Sequence, residues 1–280
     1  MTPVRIVTDS ASDLSPELAE AHGITIVPLS IRFGADEFVD GVDLSIDEFW
    51  AKCAASERLP ETSAPAPGAF QEAFTAAADG GAAAVVCLTL SSDLSGTYQS
   101  ARTAALNVAD RIPVTVVDTR SVTMGQGLAA ISAAELAASG AGLEEVVAHA
   151  EGLVSRTKVY GVVDTLDHLE RGGRIGGARA LLGSLLSIKP VVQVLDGIVA
   201  EESKQRTRAR SLRYLADKIR AAGPYDRIAV SDGAAPDLHV LVDQLRDIPS
   251  EHPLVVVPLG PVVGTHTGPG TIGVSTVRPA

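Results

Sequence analysis

Aromatic residues are scarce in this chain: 4% of 280 residues, with a single Trp. Its core must come from Ala, Val, Leu and Ile, and aromatic platforms for stacking nucleic-acid bases are excluded as its main device. Basic residues are outnumbered, 23 against 34 acidic ones, for a net charge of -11. That balance repels nucleic acid and anionic membrane surfaces. Of the two cysteines, Cys53 sits in a helical pattern and Cys87 in an apolar run. Neither has metal-ligand spacing, and nothing suggests a disulfide framework. No apolar run approaches the ~20 residues of a membrane span. The opening MTPVRIVTDS lacks the charged-then-apolar pattern of a signal peptide. The expectation is a soluble cytoplasmic protein with no metal and no cofactor. Two enzymatic signatures are missing as well, the GxxxxGK(S/T) phosphate loop and the G-x-S-x-G nucleophile elbow.

What is present is an apolar fraction of 46%, enough for a substantial core. VRIVTDS reads as a strand, and SPELAEAHG as a helix with Ser15 as N-cap and Pro16 in the first turn. ITIVPLSIRF reads as one further strand. SIDEFWAKCAAS is a helix opened by a Ser45–Glu48 capping box. PGAFQEAFTAAADGG, GLAAISAAELAASG and GLEEVVAHAEGLVSRT are helices, and 82–90 and IPVTVVDT are strands. Strands alternating with helices imply a mostly parallel, Rossmann-like sheet flanked by helices. Near residue 158 the pattern changes. KVYGVVDT and KPVVQVLDGIVAEES read as strands, the latter a hairpin turning at Asp196-Gly197. A helix over 207–221, the strand RIAVSDG and a helix near 236–246 follow. The ending reads as strands separated by a Gly-rich turn. The expectation is an α/β protein of two domains. Residues 1–157 form the parallel half, and 158–280 an α+β half with a partly antiparallel sheet.

Several stretches carry chemistry. Asp9, Ser10, Ser12 and Asp13 lie at the end of the first strand, where open α/β sheets place ligands; turn and cap hydrogen bonding is the competing reading. Thr62 and Ser63 precede Pro65 and Pro67, which stiffen their loop. SSDLSGTYQSA (91–101) puts five small hydroxyls and no basic residue where a strand hands over to a helix. Such a place suits an oxyanion, although Ser95 could equally cap its own helix. Arg171 and Arg174 flank a Gly pair, and Arg presents a planar fork to phosphate or carboxylate. His266 sits in the Gly-rich GTHTGPGTIG. The GQGLAA stretch (125–130) matches a dinucleotide fingerprint formally, but it starts several residues after its strand, the wrong context. Ser95, His266 and an aspartate could form a hydrolase triad, a reading that residue types alone do not establish.

In order, TDSASDL, TSAPAPGAF, SSDLSGTYQSA, VDTRSVTMGQG, LERGGRI and GTHTGPGTIGV resemble the DegV family across essentially the whole chain. These are fatty-acid-binding proteins that include the binding subunits of bacterial fatty acid kinase. The resemblance implies one buried long-chain fatty acid, such as palmitate or oleate, with its carboxylate held by Thr62 and Ser95 and with His266 close by. It implies that Arg174, and with it Arg171, engages a kinase partner or the phosphate. That partner binds ATP and phosphorylates the carboxylate, while this chain presents the acid and turns nothing over. The alternative is a hydrolase or phosphotransferase using Ser95 and His266. Ala64 and Ala66 stand where the family often has Gln and Ser, and TMGQG stands where SMGLG is common.

Overall fold

The computed structural model describes residues 4–181 and 188–280. The first part of the chain runs β1 (Val4–Asp9), α1 (Pro16–Ala21), β2 (Ile24–Val27), β3 (Ser30–Phe33), β4 (Asp36–Val39), α2 (Ile46–Ala55), β5 (Glu61–Ser63), α3 (Pro67–Asp79), β6 (Ala84–Thr89), α4 (Thr97–Asn107), β7 (Val114–Asp118), α5 (Met124–Ala138) and α6 (Leu143–Arg156). It continues with β8 (Thr157–Val162), α7 (Asp167–Arg171), β9 (Lys189–Leu195), β10 (Ile198–Gln205), α8 (Arg208–Ala222), β11 (Arg227–Gly233), α9 (Leu238–Leu245), β12 (Val255–Pro258), α10 (Pro261–Thr267) and β13 (Thr271–Val277).

A parallel sheet in the order β2-β1-β6-β7 forms the first layer. Its inner strand β6 is buried along its whole length, as its uninterrupted apolar sequence requires. Alternation along the strands divides the two faces. Val7, Val85 and Cys87 pack against Phe70 and Phe74 of α3 and Ala101 and Ala104 of α4. Ile6, Val86 and Leu88 pack on α5 and α6. A mixed sheet in the order β10-β9-β8-β13-β11-β12 follows, antiparallel except between β11 and β12. Its outer face buries Tyr160, Val162, Val230 and Val274 under α8 and α9. The expected α/β class is what the structure shows: a helix-flanked parallel sheet and a separate mixed one.

Local signals acted as their chemistry requires. Ser15 caps α1, and the Ser45–Glu48 box closes on itself at α2. Asp196 and Gly197 have φ 48° and 82°, the left-handed pair that a two-residue hairpin needs. Two expectations fail. ITIVPLSIRF is two strands in different sheets, because Pro28 lacks an N–H and Leu29 N–H instead donates to Ser10 Oγ at 3.1 Å. The second of these strands, β3, joins β4 and β5 in a small antiparallel sheet, β4-β3-β5, that the sequence reading did not foresee. The other failure is the Gly-rich turn around His266. Gly260 and Pro261 start the helix α10 there, and His266 lies in its last turn.

Helix α5 lies between the two large sheets, packed on β1 and β6 on one side and on β8, β11 and β13 on the other. Twelve of its fifteen residues are buried, and most of them are Gly or Ala. A Cβ at Gly125 would stand 2.2 Å from Ser121 Oγ and 2.4 Å from Val159 Cγ2. In α6, by contrast, a Cβ at Gly152 would meet nothing within 4 Å. The same substitution should therefore have opposite signs in the two helices. Gly152→Ala is expected to stabilise by up to ~1 kcal/mol through helix propensity, and Gly125→Ala to destabilise by ~1–3 kcal/mol through overpacking. Urea unfolding of the two variants checks this, and equal effects would show that the spacing at Gly125 is not tight.

Candidate functional site

The residues singled out in the sequence converge where the two sheets and the small one meet. Thr62 stands in β5, paired across to Ile31 of β3. Its Oγ1 lies 2.9 Å from His266 Nε2, a hydrogen bond spanning 204 positions of sequence. His266 is half-buried, and its Nδ1, sealed from solvent, has no partner. Burial first, then the positive charges of Arg174 and His168, push its pKa down to about 4. At neutral pH it is an uncharged imidazole. A Cβ at Gly172 would stand 2.3 Å from His266 Nδ1, so glycine at this position lets the backbone pack against the ring.

Ser95 precedes α4, and its Oγ lies 2.9 Å from Thr97 Oγ1 and accepts from Thr97 N–H at 3.3 Å. Gly96 occupies the N-cap, so Ser95 supports the first turn without filling the cap itself. Arg174 donates from Nε to Leu94 O at 3.2 Å and from Nη1 to Gly172 O at 2.8 Å. Main-chain carbonyls thus aim its guanidinium while leaving its charge free to act on an anion.

Thr62, Ser95, Arg174 and His266 share the lining of one cavity of about 150 Å³, whose remaining wall is apolar except for Thr267 and includes Leu29, Leu90, Val122 and Val262. On the polar side, a cleft of about 570 Å³ is bordered by Arg58, Arg171 and Arg174 together with Thr62 and His266. On the apolar side, a second cavity of about 60 Å³ shares Val122, Leu169, Val199, Val263 and Thr267 with the first. An apolar chamber ending in neutral donors beside a fixed cation suits an amphipathic anion. Ser95 and His266 are not bonded to each other: Ser95 pairs with Thr97, and His266 with Thr62.

The family model described as "Uncharacterised protein, DegV family" matches residues 3–278. The chain belongs to the DegV family. It is 42% identical to a DegV domain-containing protein of Streptomyces coelicolor, over 97% of each chain. Among solved structures it is similar to a fatty-acid-binding DegV family protein from Thermus thermophilus, with a TM-score of 0.90 and 34% identity over 99% of this chain and 100% of that one. It is also similar to a stearic acid-binding protein from Eubacterium ventriosum, with a TM-score of 0.87 and 29% identity over 99% and 98%.

Behind the cavity, this DegV chain buries three carboxyl groups. Asp9 accepts from Leu90 N–H at 2.9 Å and Ala11 N–H at 3.1 Å, so it shapes the start of the 91–95 loop. Asp13 accepts from Gly260 N–H at 3.0 Å, at the N-cap of α10, and from the hydroxyl of Thr123. Thr123 has φ 51°, unusual for a β-branched residue, and its Oγ1 also lies 2.8 Å from Ser231 Oγ. Asp13 therefore ties the first strand's end, the start of α5 and the helix bearing His266 into one unit. The sequence reading placed Asp13 near a site, but the link to Gly260, 247 positions away, has no local signal. Arg58 was missed for the same reason, since it sits in an unpatterned loop. Among the described residues no group of three His, Cys, Asp or Glu could hold a metal ion.

Burial pushes the Asp13 carboxyl up to about 7, with Asp40 and Asp9 adding to the rise against the hydrogen bonds from Thr123 and Gly260. Between its ordinary value, 3.8, and about 7, the folded chain holds a proton that the unfolded chain has released. Stability from this group is thus full below that window and is lost as pH rises through it. His266 acts oppositely, its contribution growing from about pH 4 to 6.5. Comparison with Asp13→Asn isolates the aspartate. The stability of the native chain relative to that variant should fall between about pH 4 and 7 and stay level above. Urea unfolding across that range reads the difference, and a pH-independent difference would contradict the assignment.

Proposed function

We propose that this chain binds one long-chain fatty acid, such as palmitate or oleate, and presents its carboxylate to a separate ATP-dependent kinase. The observation that carries this reading is the apolar cavity whose polar end is built from Thr62, Ser95 and His266 and opens on an arginine-bordered cleft. The fatty acid binding of DegV proteins of similar fold supports it. Residues 1–157 act as the lipid-binding domain and 158–280 as the domain that closes the site. The setting is cytoplasmic, where the acid and ATP meet.

The energetics favour such a division of labour. Burying about fifteen methylenes yields roughly 12 kcal/mol gross at ~0.8 kcal/mol each, against association costs of several kcal/mol. The tail drives binding. The head needs only enough donors to avoid an unpaired buried charge; Thr62 and Ser95 supply them, with neutral His266 bonded to Thr62 beside the head. Arg58, Arg171 and Arg174 then face the side on which a phosphoryl group would arrive. A hydrolase at Ser95 and His266 is less well served: His266 Nε2 bonds to Thr62, and no carboxylate orients Nδ1.

In delipidated protein, Ser95→Ala and Thr62→Ala are each expected to weaken palmitate binding by about tenfold or more, the effect of losing a hydrogen bond to a charged group. Arg171→Glu should leave that affinity unchanged. It should lower, by about tenfold or more, the acyl phosphate formed from ATP in an extract of the protein's own cells, trapped as hydroxamate with hydroxylamine. Calorimetric titration with palmitate reads the first outcome. A native protein that carries no fatty acid and takes up none would overturn the reading.

A further inference from the structure

Strand interiors disfavour glycine unless a left-handed turn, a bulge, or the close approach of a backbone or ligand requires it. Two glycines, Gly161 of β8 and Gly273 of β13, face each other in register at the centre of the mixed sheet. Neither has a positive φ. The register runs through both without a shift, across to Val192 of β9 and to Ser231 of β11. The nearest neighbours of both lie within the sheet itself. A Cβ at Gly161 would meet only Val192 Cγ2, at 3.3 Å, and the three atoms nearest to one at Gly273 all belong to neighbouring strands, Ser231 Cβ at 3.4 Å being nearest.

Both glycines point to the inner face, toward α5. Ser231, in register with Gly273, reaches Thr123 there, and Val159, two residues before Gly161, packs on Gly125. Above them lies the apolar cavity of about 60 Å³ that shares five lining residues with the head-group chamber. The shared wall includes Leu169 and Val199, and Val163 lines the smaller cavity at this end. From Val163 back to Val159 the strand covers about 13 Å at ~3.3 Å per residue. The trough closes where Val159 meets α5 at Gly125.

We propose that Gly161 and Gly273 form the floor on which the distal part of the acyl chain lies, with Val159 as its end wall, so that these three residues set the chain length accepted. The inference rests on the fatty acid reading and adds the residues that select among fatty acids.

The test is a native mass spectrometry competition among decanoate, myristate, palmitate and stearate on delipidated protein. Gly161→Val should move the preference to shorter chains, with affinity falling about fourfold for each methylene excluded and decanoate binding unchanged. Gly161→Ala, whose methyl group would press only on Val192 Cγ2 at 3.3 Å, should give a smaller shift in the same direction. Val159→Ala should move the preference toward stearate, and it keeps the test open if Gly161→Val fails to fold. If the native protein selects long chains and the folded variants keep its length profile, the inference falls and the fatty acid reading stands. If the native protein binds none of the four acids, both fall.

Discussion

The structure depends on one helix that is buried on all sides except in its last turn. Helix α5 is sandwiched between a parallel and a mixed sheet, and its Gly and Ala residues set how closely the two approach. Larger side chains would push the sheets apart. The helix runs only along part of the interface, and where it begins, at Thr123, the two sheets are no longer filled by small side chains. The cavities lie beside that end, with Val122 lining both. A chamber between layers thus follows from a packing element that stops short of it.

The same junction concentrates buried polarity. Asp13, Thr123, Ser231 and Gly260 N–H come from four separate segments and satisfy one another. Without those partners a buried carboxyl would be severely destabilising; with them it fixes the N-terminus of α10, and hence the height at which His266 meets Thr62. Burial holds His266 neutral, and main-chain carbonyls hold Arg174 beside it. The head-group end is therefore mild in charge: two hydroxyls, a neutral ring and one guanidinium at the edge. A lysine inside the chamber would bind a carboxylate more strongly, and release or phosphorylation would then have to overcome that strength.

Much of this was legible locally. Caps at Ser15 and Ser45 and the Asp196-Gly197 turn each depend on a few adjacent residues, and all formed as read. The alternation of strands and helices gave the parallel sheet. Thr62, Ser95, Arg174 and His266 were each visible as hydroxyls or charges in Pro- or Gly-marked loops. What escaped was non-local. The β4-β3-β5 sheet forms because Pro28 breaks a strand and Thr62's segment returns to pair with β3. Helix α10 looked like a turn because Gly and Thr have low helix propensity, which packing on Phe49 and Trp50 overrides. Gly172 read only as half of a Gly pair between two arginines, yet it is glycine because a ring lies against it.

The sequence by itself determined the α/β class, the caps at Ser15 and Ser45, the Asp196-Gly197 turn, and the residue types able to meet an oxyanion, because these depend on neighbours within about one helical turn or one strand repeat. Only the tertiary structure decided that Thr62 and His266 would share a hydrogen bond, that Asp13 would hold the helix of His266, and that Gly161 would lie opposite Gly273. Those contacts join segments 100 to 250 positions apart. Their partners are chosen by how the layers stack, and no local pattern encodes that.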